Sequence, residues 1–78
     1  MQLRRTPAYL AHKEQLSDTR RLSLELAEEA IATDPEGTAH RGKGPKGTTI
    51  DRSEAFLMVS FRIDGQEVEL VDFIDLAG

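Results

Sequence analysis

The sequence predicts an α+β domain in which an N-terminal helical hairpin packs on a small antiparallel β-sheet, in the order β-α-α-β-β-β. Three observations carry this. Leu22, Leu26 and Ala30 recur at four-residue spacing, with Leu24, Ala27 and Ile31 widening the stripe, as an amphipathic helix requires. Asp64-Gly65 separates two alternating apolar runs, 56–63 and 67–76, which is a hairpin pattern. The length of 78 residues is one domain's worth of chain, so the elements share a single core.

The elements follow in chain order. Leu3 to Arg5 reads as a short first strand, after which Thr6 can cap a helix and Pro7 suits its first position. That helix is expected over 7–16, and with only Tyr9, Leu10 and Leu16 apolar it must lean on something larger. Ser17-Asp18-Thr19 favours a cap, and a stronger helix starts at Arg20 and ends before Asp34-Pro35-Glu36-Gly37. Residues 38–49 contain three glycines and a proline without a large apolar side chain, which predicts a loop. Thr48 to Arg52 is available as a further strand against the hairpin. Within the hairpin, Leu57, Val59, Phe61 and Ile63 share one face, and Val68, Leu70, Ile74 and Leu76 share the matching face, with Asp72 interrupting it.

Composition narrows the function classes. There is no cysteine, so disulfides, thiolate metal sites and thiol nucleophiles are excluded together. His12 and His40 are far apart without neighbouring ligands, so no metal and no cofactor is expected. No apolar run approaches the ~20 residues of a membrane span, and His12-Lys13-Glu14 breaks any signal-like segment; a cytoplasmic protein without membrane contact is expected. The net charge is −4, unevenly placed: residues 1–46 hold eight Lys/Arg against seven acids, and residues 47–78 hold two against seven. An acidic total disfavours bare nucleic acid, whose affinity comes from Lys and Arg displacing counterions.

Four stretches carry a resemblance to a known family. They are Asp34-Pro35 after the second helix, the basic His40-Arg41-Gly42-Lys43-Gly44, the strand Val59-Ser60-Phe61-Arg62-Ile63 entering Asp64-Gly65, and the alternating Glu67-Val68-Glu69-Leu70-Val71. In this order the chain resembles the RelE/ParE superfamily of toxins from bacterial toxin–antitoxin pairs, over nearly its whole length. The resemblance implies a growth-inhibiting toxin component that binds a cognate antitoxin, with ribosome-bound RNA or gyrase as the target class. It also implies where departures matter. Ribosome-dependent RNA-cleaving members use a sheet arginine and a residue of a carboxy-terminal tail; here Met58 occupies the first position and nothing after Leu76-Ala77-Gly78 aligns with the second. The expectation is a scaffold reduced in nuclease activity.

Residues 40–46 place three fixed charges on a glycine-rich segment, which reads either as an anion-holding loop or as a solvated one. Arg41, Lys43, Lys46, Arg52 and Arg62 are the candidate target contacts, and His40 and Arg62 the weak catalytic candidates, as proton carrier and phosphate stabiliser. Glu25, Glu28, Glu29, Asp72 and Asp75 read as a wet helix face and an acidic sheet edge rather than as paired catalytic carboxylates. Val71, Phe73 and Leu76 are either core or the surface on which a partner peptide docks. The rival expectation is a non-catalytic module, immunity-like, phage-encoded or regulatory, whose acidic hairpin binds a basic protein.

Overall fold

The computed structural model describes residues 2–35, 41–43 and 49–77, the middle segment by its backbone. The elements are β1 (Gln2–Arg5), α1 (Pro7–Glu14), α2 (Asp18–Thr33), β2 (Arg41–Lys43), β3 (Ile50–Glu54), β4 (Leu57–Asp64) and β5 (Glu67–Asp75). The architecture is the expected α+β layout, both helices preceding the run of strands that forms most of the sheet. Strand order is β1-β5-β4-β3-β2. β2 through β5 run antiparallel to their neighbours, whereas β1 joins β5 in parallel, with Leu3 beside Val68 and Arg5 beside Leu70, which makes the sheet mixed. Among the described residues no helix is long and apolar enough to cross a membrane.

Local chemistry sets the helix limits. The Thr6 hydroxyl accepts the Tyr9 N–H at 3.1 Å with Pro7 following, and the Ser17 hydroxyl accepts the Arg20 N–H at 3.3 Å. α2 stops at Thr33, immediately before Asp34-Pro35. At the β4–β5 turn Gly65 has φ +62°, a left-handed conformation that glycine adopts without a Cβ penalty.

Three expectations are corrected. Residues 41–43, expected within a loop, form β2, paired with Ile50, Asp51 and Arg52. The unsatisfied outer edge of β3 supplies backbone partners that local sequence does not encode. The inward face of α2 carries Leu24, Ala27, Glu28 and Ile31, while Leu22 and Leu26 are each 63% exposed. Two leucine-bearing stripes compete on this helix, and the sheet takes the one that also meets α1. Finally, β5 changes phase. Ser60 pairs with Asp72 and Phe61 with Leu70, leaving Val71 as the extra residue of a β-bulge. Phe73 therefore joins Val68 and Leu70 in the core, and Ile74 and Leu76, which plain alternation groups with those two residues, turn out.

The core lies between the helices and one sheet face. α1 rests on β5, and α2 crosses β4, β3 and β1. Tyr9, Leu24, Ile31, Leu57, Val59, Phe61, Val68 and Leu70 are fully buried, each contributing about 1.5–3 kcal/mol of gross transfer free energy against the entropy of ordering the chain. The Tyr9 ring meets Phe73 edge-on at 5.2 Å, which anchors the short α1 to β5.

Candidate interaction site

Of the cations nominated for target contact, the two with described side chains, Arg52 and Arg62, lie on opposite faces of the sheet. Arg52 is buried on the helix side of the sheet, where Nη1 donates to the Asp34 carbonyl at 2.6 Å and Nε to Glu54 at 3.1 Å. It closes the end of α2, a structural task. Arg62 stands on the opposite face and donates to Glu69 at 3.0 Å. Arg41 lies opposite Arg52 in the β2–β3 register, and Lys43 opposite Ile50. His40 and Lys46 fall outside the described residues, and so does any pairing of His40 with Arg62 for proton transfer. Met58 occupies the open face between its cross-strand neighbours Ser53 and Ile74. Among the described residues no group of three His, Asp or Glu is placed to hold a metal ion.

The acids also sit differently from expectation. Glu28, read as part of a wet helix face, is 4% exposed. Arg5 forks onto it, Nη2 to Oε1 at 2.8 Å and Nε to Oε2 at 3.3 Å; the Tyr9 hydroxyl donates at 2.7 Å, and Lys13 Nζ lies 3.2 Å from both oxygens. Burial works to raise the Glu28 pKa, but hydrogen bonds from Arg5 and Tyr9, with the charges of Arg5 and Lys13, more than offset it and hold the carboxyl below its usual range. Burial and the hydrogen bond to Glu28 push the Tyr9 phenol up. A carboxylate saturated by four donors has no lone pair for substrate, so the cluster is a tie between β1, α1 and α2.

The hairpin acids are similarly engaged. Arg4 spans Glu67 at 3.0 Å, Glu69 at 3.3 Å and Asp64 at 3.8 Å, Arg62 shares Glu69, and His12 Nδ1 lies 2.7 Å from Asp72. The outer face of the β4–β5 hairpin is a lattice of opposite charges and not a bare acidic surface.

Of the three residues nominated for partner contact, Phe73 is core, because the bulge turns it inward. Val71 is half-buried, with its carbonyl accepting from the Thr6 hydroxyl at 2.6 Å. Leu76 is 54% exposed and belongs to a larger feature. β3 and β4 are joined by Ala55-Phe56, with φ +52° and +63°. A two-residue hairpin with both central residues left-handed ordinarily takes Asn-Gly, because a Cβ there costs on the order of 1–2 kcal/mol per residue. Phe56 is nevertheless 73% exposed at its tip, and Ile74 (56%) and Leu76 flank it from the end of β5. Leu76 N–H donates to the Phe56 carbonyl at 2.8 Å.

A charged clamp holds this tip. Arg20, at the start of α2, grips Asp75 with Nε at 3.2 Å and Nη2 at 3.0 Å, and Nη2 also reaches the Ala55 and Phe56 carbonyls at 3.1 and 3.4 Å. The hydrogen bonds from Arg20 and from the Ala77 N–H keep the Asp75 carboxyl below its usual pKa. An apolar surface on a strained, braced turn is the arrangement a docking site needs, since the ordering cost is met before the partner arrives.

Comparison with known proteins finds no matching family model, no matching curated protein and no matching solved structure. Sequence reasoning missed Phe56 as a tip because Glu54-Ala55-Phe56-Leu57 contains none of the residues that mark a turn. The available signal was the pair Asp75 and Arg20, and it became legible only once the fold brought them together.

Proposed function

We infer that the chain is a reduced RelE/ParE-like scaffold, a cytoplasmic toxin-family protein that acts by binding a polypeptide, its cognate antitoxin, and does not cleave RNA itself. The observation that carries this reading is the braced apolar tip of Phe56, Ile74 and Leu76. It is supported by the engagement of Arg52 and Arg62 in internal contacts, which removes two of the cations an RNA transition state would need, and by Met58 at the sheet position where RNA-cleaving members place arginine. Burying Phe56 against a partner would add about 1.5–3 kcal/mol, enough to make it the dominant contact of a small interface.

Expression of the chain with and without its adjacent small gene tests the reading. The product of that gene should co-purify with the chain, and Phe56→Ser should weaken the complex roughly 10- to 100-fold while leaving the fold unchanged by circular dichroism. RNA incubated with the chain, with and without ribosomes, should give an unchanged ladder. Cleavage lost on Arg62→Ala would overturn the non-catalytic part, and a complex indifferent to Phe56→Ser would overturn the docking part.

A further inference from the structure

A second surface, away from the Phe56 tip, has its own chemistry. Leu22 and Leu26 project outward from α2, each 63% exposed, and Leu10 of α1 is also exposed. Glu25 and Glu29 interleave with the two leucines at the three- and four-residue spacing that makes helix neighbours, and Glu14 closes the α1 side. The cations here are already committed. Lys13 is bound to Glu28, and Arg21 bonds Asp18 at 3.2 Å and the carbonyls of Glu14 and Leu16 at 3.4 and 3.1 Å. Among the described residues the side chains of Glu14, Glu25 and Glu29 have no ion pair, so the charge left around the leucines is negative. Arg21 separates two shallow hollows, one of about 250 Å³ lined by Asp18, Arg21, Leu22 and Glu25, the other of about 360 Å³ lined by Leu10, Lys13, Glu14 and Arg21.

We propose that this outer face of the helical hairpin is a docking site for a basic amphipathic helix, whose apolar side chains enter the hollows beside Leu22 and Leu10 and whose Lys or Arg residues meet Glu14, Glu25 and Glu29. The helical form follows from the surface. Leu10, Glu14, Leu22, Glu25, Leu26 and Glu29 all lie within helices, whose backbone offers no edge to an incoming strand, whereas side-chain ridges accept those of another helix. The basic character follows from the three carboxylates, none of them in an ion pair among the described residues, which would repel an acidic segment and steer a cationic one. Leu22 and Leu26 lie about 6 Å apart along α2, so a partner of roughly three turns covers the pair. The site rests on the reading that this protein binds polypeptides, but it uses none of the residues of the Phe56 tip.

The probe is a synthetic helical peptide of about 18 residues with Leu at i and i+4 and Lys on the flanking positions, titrated into the full chain and followed by fluorescence anisotropy and amide chemical shifts. Binding should perturb residues around Leu10, Leu22 and Leu26 and weaken about tenfold or more on Leu22→Ser with Leu26→Ser, exposed positions whose replacement leaves the melting curve unchanged. Glu25→Lys with Glu29→Lys should abolish binding of the Lys peptide and confer binding of its Glu counterpart, a swap that loss of folding does not mimic. Phe56→Ser should leave the peptide's affinity unchanged. No binding at millimolar peptide, equal binding of the Lys and Glu peptides by the unaltered chain, or loss of binding on Phe56→Ser would each overturn the proposal. Self-association abolished by Leu22→Ser would overturn it in favour of a second copy as the occupant.

Discussion

Phe56 combines two costs, a left-handed backbone and a large apolar ring in water, and each argues for a role beyond the fold. Replacing Ala55-Phe56 by Asn-Gly should raise stability by about 1–2 kcal/mol in chemical denaturation while weakening partner binding, the opposite signs expected of a strained functional turn. A loss of stability would show that the ring supports the fold. Glu28 is the converse case, a charge whose cost is offset by its neighbours. Glu28→Ala should destabilise by about 2 kcal/mol, less than for a fully enclosed ion pair because Arg5 is about a third exposed and can recover water. Tyr9→Phe should cost about 1 kcal/mol for the lost hydrogen bond, with little change in packing.

The elements differ in how much of their form is local. α1 is eight residues long, too short to persist alone, and depends on Thr6, whose hydroxyl caps the helix and also donates to the Val71 carbonyl at the bulge. Thr6→Ala should lower stability by about 1–2 kcal/mol, and amide hydrogen exchange should quicken in α1 more than in α2; uniform quickening would show that α1 is no separate unit. The β5 bulge is the element on which the face assignments turn. Deleting Val71 removes the extra residue and restores plain alternation with Asp72 still outward and Phe73 still in the core, so the fold should survive by circular dichroism at a cost of about 1 kcal/mol for the Thr6 hydrogen bond, and collapse would show that the bulge itself is required. Of this strand, the sequence shows the alternation and the anomaly at Asp72, but an interrupting polar residue and an extra residue look alike until the partner strand counts the register. In the same way, α2 is legible as a helix from its spacing, while the choice between Leu22 and Leu24 for the core belongs to the sheet.

At the scale of the whole molecule, a small core is stapled by charge, and its pH dependence has a sign. The Glu28 and Asp75 pKa values lie below their unfolded values, so their contribution is complete above about pH 5 and is lost as pH falls through the lowered folded values. The Tyr9 pKa lies above its unfolded value of about 10, so above that pH the unfolded state sheds a proton that the folded state keeps, and stability declines. Thermal melts should be flat from about pH 6 to 9 and fall on both sides. The alkaline fall should be smaller in Tyr9→Phe; an unchanged alkaline limb would remove Tyr9 as its cause.

By itself the sequence determined the features that depend on a few adjacent residues: the helix start at Thr6-Pro7, a second start within or just after Ser17-Asp18-Thr19, the stop at Asp34-Pro35, the Asp64-Gly65 hairpin, and with them the α+β class. Capping, proline restriction and glycine turns act through local dihedral angles and neighbouring hydrogen bonds, so they are written locally. Only the tertiary structure decided that residues 41–43 extend the sheet, that Val71 bulges, that Glu28 is buried while Leu22 and Leu26 are not, and that Arg20 and Asp75 brace a strained Phe56. Each of these depends on contacts between residues distant along the chain, where two local patterns of similar free energy compete and packing selects one.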